Sequence, residues 1–130
     1  MRSRIPGICT LAISLMLGCH RGPEPPLMVP VTGKVFANGQ PVTAGAIYFH
    51  PDETNSFQGD KPSSLLQVDG SFTVKTYPFG DGVPPGEYKV TLSPELASRL
   101  KKAKYSQPSQ TPWSIEVTYQ GVKDHMFEVK

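Results

Sequence analysis

His50-Pro51-Asp52-Glu53 sets an imidazole and two carboxylates side by side at the end of an apolar run. Hard and borderline divalent cations accept such donors, and His20 and His125 are the other imidazoles that could add nitrogen. Asp69 and Asp81, each followed by glycine, lack the alternating carboxylates of a calcium loop and read as turn residues. Arg99, Lys101, Lys102 and Lys104 form the one local basic cluster, suited to an acidic polymer or anionic headgroups and equally to an exposed connector. Tyr77, Phe79, Tyr105 and Trp113 fall in or beside loops, where aromatic faces stack on sugar rings or cover the open end of a core. Of these, Tyr77, Phe79 and Trp113 are the candidate ligand contacts. The chain has no Gly-x-Ser-x-Gly elbow, phosphate loop or His-Glu-x-x-His helix. Charged residues after a strand ordinarily make a solvated loop. The sequence therefore predicts no catalytic residue and no metal site.

The elements that must position these residues follow a period of two. Val31 and Val35 alternate with Thr32 and Lys34 and lead to Asn38-Gly39, a short turn signal. Residues 44–50 make a second strand, apolar on both sides, and residues 52–62 a polar surface loop. Leu65, Leu66 and Val68 run into Asp69-Gly70, with Phe72 and Val74 beyond, which predicts a hairpin with a type I′ turn and positive φ at both central residues. Tyr88, Val90 and Leu92 share one face of a strand released by a Pro/Gly-rich loop. Leu96 and Leu100, four apart with basic residues outside, predict a short helix within 95–104. Ile115, Val117 and Tyr119, then Phe127 and Val129, close the series. About seven short strands in a domain of ~100 residues predict an all-β, antiparallel seven-stranded β-sandwich.

The N-terminus follows another pattern. Arg2 and Arg4 make a charged start, and residues 5–17 are mostly apolar yet too short to span a ~30 Å hydrocarbon core comfortably. The run ends Leu15-Met16-Leu17-Gly18-Cys19, which resembles the lipobox of bacterial lipoproteins, with Met16 and Leu17 where leucine and a smaller residue are usual. The resemblance implies export, cleavage between Gly18 and Cys19, and covalent lipid on the Cys19 thiol and freed amine. Two or more acyl chains anchor stably where one is marginal. Residues 1–18 are then a signal peptide with a cleaved helix, 19–30 a tether rich in proline (Pro23, Pro25, Pro26, Pro30), and 31–130 the sandwich. Cys9 leaves with the signal, so the mature domain has no internal disulfide. Of 13 Lys plus Arg, Arg2 and Arg4 leave too, so 11 basic residues face 11 acidic ones. A formally neutral domain argues against nucleic acid as partner.

Val31-Thr32-Gly33-Lys34-Val35, Asn38-Gly39-Gln40-Pro41-Val42 and Ala46-Ile47-Tyr48-Phe49 resemble the opening of carboxypeptidase regulatory-like and transthyretin-like domains. Val68-Asp69-Gly70-Ser71-Phe72 and Val83-Pro84-Pro85-Gly86-Glu87-Tyr88-Lys89-Val90 are similar to later signatures of that family. Lys104-Tyr105 followed by Gln110-Thr111-Pro112 resembles in particular the small lipoproteins of planctomycete-type bacteria. The resemblance implies a prealbumin-like, Ig-like sandwich over residues 31–130. Transthyretin-like hydrolases use histidines, an arginine and a C-terminal Tyr-Arg-Gly-Ser, whereas this chain ends Phe127-Glu128-Val129-Lys130. Motifs made of turns and strand starts speak for fold more than function. The expectation is a non-catalytic, lipid-anchored protein of the cell envelope, monomeric, with no cofactor beyond the lipid on Cys19, acting as a structural or interaction module. Its partners would be the membrane and an envelope protein or glycan. The alternative is a carbohydrate- or peptide-binding module using the loop aromatics; a transthyretin-like hydrolase with a site around His50 and His125 comes third.

Overall fold

The computed structural model describes residues 26–130, so Gly18 and Cys19, the expected signal helix and His20 lie outside the described residues. Ten short strands follow one another as β1 Val31–Ala37, β2 Gln40–Pro41, β3 Ala46–Pro51, β4 Ser63–Leu65, β5 Ser71–Thr73, β6 Lys75–Thr76, β7 Gly80–Asp81, β8 Gly86–Leu92, β9 Ser114–Val117 and β10 Val122–Val129. One short helix, α1 Pro94–Arg99, and a 3₁₀ turn at Ala103–Ser106 lie between β8 and β9. The strands form two sheets, one ordered β10-β1-β2 with β5 also on β1, the other β7-β6-β4-β3-β8-β9. The architecture is that of an all-β sandwich.

Alternation fixes which side of each strand faces inward. Val31 and Val35 of β1, Phe49 of β3, Phe72 of β5, Tyr88 and Val90 of β8, Ile115 and Val117 of β9, and Phe127 and Val129 of β10 are all buried. Rings from both sheets meet at the centre, with Phe49 6.3 Å from Phe72 and 6.5 Å from Phe127, both edge-on, and 6.0 Å from Tyr88. Edge-to-face geometry suits the ring quadrupoles and adds to what burial of the rings contributes.

The structure departs from the sequence expectation first in strand pairing and turn geometry. The pairing is not wholly antiparallel, because β1 and β10, the first and last strands, run parallel from Val31↔Val122 to Ala37↔Val129. A parallel pair needs a long connection between its strands, and here the rest of the domain supplies it. The Asp69-Gly70 turn is not type I′, since Gly70 has φ +79° while Asp69 does not enter the left-handed region. Gly70 N donates to Gln67 O and Gln67 N to Ser71 O, so a type I turn is followed by one left-handed glycine. A side chain at Gly70 would also meet Val35 O at 2.7 Å.

The runs flanking that turn separate. β5 pairs with β1 in the first sheet, whereas β4 pairs with β3 and β6 in the second. Residues 71–76 thus begin in one sheet and end in the other, a corner that ties the layers together. The sandwich also starts before Val31. Val29 is buried and exchanges both backbone hydrogen bonds with Val83, while Pro30 O accepts from Val122 N. The last part of the expected tether is therefore pinned to the domain.

Tyr88 fastens the loop ahead of its own strand. Its hydroxyl donates to Pro84 O at 2.6 Å, four residues upstream, the arrangement called a tyrosine corner in sandwich domains. Burial pushes its pKa up to about 12, with a hydrogen bond involving Asn55 opposing the shift. Tyr88→Phe keeps the packed ring and leaves the buried Pro84 carbonyl without its partner. The expected loss of unfolding free energy, read from urea melts, is about 1–3 kcal/mol with no change of fold.

Candidate functional site

The strand directions sort the sequence-predicted residues to opposite ends of the sandwich. The chain enters at the end where β3 and β9 finish and β8 begins. Residues 52–62, 77–79, 82–85 and 118–121 lie between strands at that end. α1 and the C-terminus lie at the other, since β10 runs parallel to β1 and α1 follows the far end of β8.

At the entry end the loops are built to expose apolar side chains. Asn55, only 5% exposed, organises residues 52–58: its Nδ2 donates to Glu87 O at 2.9 Å and its Oδ1 accepts from Phe57 N at 2.9 Å. Gln58 Nε2 donates to Asp52 O and Asn55 O, closing the loop on itself. Gly86 leaves room for this pin, because a Cβ there would stand 2.6 Å from the Asn55 amide, and its φ of +145° suits glycine alone. The result presents Phe57 beside the Tyr77–Phe79 loop. Pro26, Phe57, Gly59, Asp60, Tyr77, Pro78 and Phe79 line an open groove of about 420 Å³. A second hollow of about 260 Å³ shares Pro26 and Phe57 and continues to Leu27, Pro84, Pro85 and Tyr119. The two make one apolar surface around the first described residues, on which Leu27 is 60% exposed, Tyr77 75% and Tyr119 73%.

Tyr77 and Phe79 are thus brought together, and Phe79 is half-buried against the groove. Trp113 stands apart from them. It is 8% exposed, its indole N–H donates to Glu128 O of β10, and its carbonyl accepts from Val90 N of β8. Its ring lies 4.9 Å from Phe127 and 4.8 Å from Tyr105, so it closes the open edge between the sheets and offers little face to a ligand. Phe57, Leu27 and Tyr119 join the surface without having stood out in the sequence. The available signal was Phe57, the lone large apolar residue in the polar loop 52–61.

The titratable groups do not converge. His50 lies on β3 of the larger sheet with Nε2 2.8 Å from Thr91 Oγ1, whereas His125 lies on β10 of the smaller sheet with its ring 4.5 Å from Phe127. Asp52 accepts from Glu53 N and Thr54 Oγ1, and Asp69 from Ser71 N, so both carboxylates hold turns together. No group of three His, Cys, Asp or Glu placed to hold a metal occurs among the described residues. Arg99 spends its guanidinium on Thr43 O and Ala44 O, at the end away from the apolar surface.

Burial, together with Lys61 for His50, holds both imidazoles below their ordinary pKa. The unfolded chain then takes up these protons first as pH falls, so stability is lost below the ordinary histidine value near 6.5 and is fully present above it. A His50→Gln/His125→Gln variant is expected to show a flatter melting temperature between about pH 6.5 and 5 than the parent. The drop belonging to Asp69, held below 3.8 chiefly by its hydrogen bonds to Ser71, lies lower and remains in both proteins.

Compared with protein-family models, with curated proteins and with solved structures, the chain gives no match.

Proposed function

We propose that this protein is a lipid-anchored, non-catalytic β-sandwich of the bacterial cell envelope, displayed by acyl chains on Cys19 and serving as a structural or interaction module. The observation that carries the reading is the N-terminal order of a charged start, a short apolar run and Leu15-Met16-Leu17-Gly18-Cys19. One structural fact supports it: the first strand of the sandwich, β1, begins at Val31, twelve residues after Cys19. We assign the sandwich to the prealbumin-like, carboxypeptidase regulatory-like kind on the signatures around Asn38-Gly39, Asp69-Gly70 and Pro84-Tyr88. The tyrosine corner at Tyr88 and the positive φ of both Asn38 and Gly39 support that assignment. The non-catalytic reading draws support from the placement of His50 and His125 on different sheets.

Membrane fractionation tests the anchor. Washing with concentrated salt should leave the protein in the membrane pellet and nonionic detergent should release it. Release by salt alone would overturn the reading, because acyl chains are held by burial of apolar surface and not by charge.

A second reading takes the groove beside Tyr77 as a platform for sugars or peptides, and the exposure of Tyr77 favours it. With Trp113 turned into the core edge, that platform keeps Tyr77 and a half-buried Phe79.

A further inference from the structure

We propose that the apolar end of the sandwich, carrying Leu27, Phe57, Tyr77, Phe79 and Tyr119, rests in the headgroup region of the bilayer that holds Cys19. The domain is then docked on the membrane with a fixed orientation, and the chain before it is more than a leash. The inference builds on the reading of Cys19 as lipidated.

The position of the chain commits the surface to this occupant. Pro26 and Leu27 line the apolar surface themselves, so the polypeptide enters the domain through the middle of it. Cys19 stands seven residues earlier. Seven residues reach at most about 25 Å even when fully extended. The eight-residue strand β10 alone is about 26 Å long, before loops are added. Acyl chains on Cys19 therefore hold the entry end within about 25 Å of the bilayer, too short a reach for the domain to stand inverted on its α1 end.

The chemistry of the surface agrees with that placement. Tyr77 and Tyr119 combine an apolar ring with a polar tip, the residue type that membrane interfaces enrich at headgroup level. Leu27, at 60% exposed, adds an aliphatic side chain to the same patch. Charge does not account for the contact. Asp52, Glu53 and Asp60 outnumber Lys61 in the loop beside the groove, and Arg99, Lys101 and Lys102 sit at the opposite end with α1. The contact is accordingly apolar and tolerant of salt.

Single added tryptophans test the orientation. The full chain, expressed in bacteria and purified from their membranes in detergent, is reconstituted in vesicles of phosphatidylcholine brominated on its acyl chains. Tyr77→Trp, Tyr119→Trp and, at the far end, Ser98→Trp are compared on the common background of Trp113. Loss of the added emission is expected for Tyr77→Trp and Tyr119→Trp and not for Ser98→Trp, unchanged in concentrated salt. Equal quenching at both ends, or none at Tyr77→Trp and Tyr119→Trp, overturns the proposal. The second outcome is also what a sugar-binding end held clear of the bilayer would give. The mass of the N-terminal peptide separates this from the anchor: lipid on Cys19 with unquenched tyrosine positions sinks the docked face alone. Quenching with an unmodified Cys19 sinks the anchor alone.

Discussion

Phe49→Ala is expected to cost the domain about 3–5 kcal/mol of unfolding free energy. That is a large share of the ~5–15 kcal/mol that holds a small domain folded. Phe49 is fully buried in the central strand β3, and its ring meets Phe72 and Phe127 of the opposite sheet as well as Tyr88 of its own. Alanine removes the ring and leaves a cavity lined by side chains of both sheets, which cannot collapse without moving strands. Urea unfolding followed by the emission of Trp113, the chain's one tryptophan, reads the loss directly. Leu65→Ala is the control, because Leu65 is 77% exposed and its truncation should change stability by under about 0.5 kcal/mol. Equal effects of the two substitutions would mean that the core is not organised around Phe49.

The contrast between Phe49 and Leu65 also marks what could be read from the sequence. Alternation placed β1, β8, β9 and β10 and named the inward residues within them, because each strand has one face on the core and a period-two pattern records it. β3, apolar on both sides in the sequence, was marked by its run alone, and Tyr119, grouped with Ile115 and Val117, lies past the end of β9 and is 73% exposed. Asn38-Gly39 declared its turn for a local reason, with both residues at positive φ. Pairing partners were another matter. The Asp69-Gly70 run resembled a simple hairpin, yet its two arms belong to different sheets, a fact set by where β1 and β3 lie and not by the turn itself. The parallel pairing of β1 with β10 was hidden for the same reason, since residues nearly a chain length apart leave no local signal. Trp113 and Tyr77 are both aromatics beside loops in the sequence. Only the folded chain turns one onto Phe127 and leaves the other 75% exposed. The apolar surface draws on five separate segments, so no single stretch announces it.

Cys19→Ser is expected to abolish incorporation of labelled palmitate into the chain. Cys9→Ser should leave incorporation at the parental level, because Cys9 lies within the apolar run that is discarded. The effect is all or none, since hydroxyl oxygen does not replace the thiolate as nucleophile. Two or more acyl chains, each buried CH₂ contributing about 0.8 kcal/mol, hold a protein that a single chain would hold only marginally. The sandwich itself should be untouched, so the urea midpoint of the Cys19→Ser protein in detergent should equal that of the parent. The pair of cysteine variants thereby separates the anchor from the fold it carries.

The most direct measurement is the mass of the N-terminal peptide of the protein isolated from its native membrane. The expected peptide begins at Cys19, with diacylglycerol on its sulfur and an acyl group on its amine. A peptide beginning at Met1, or one carrying an unmodified Cys19, would contradict the lipid anchor.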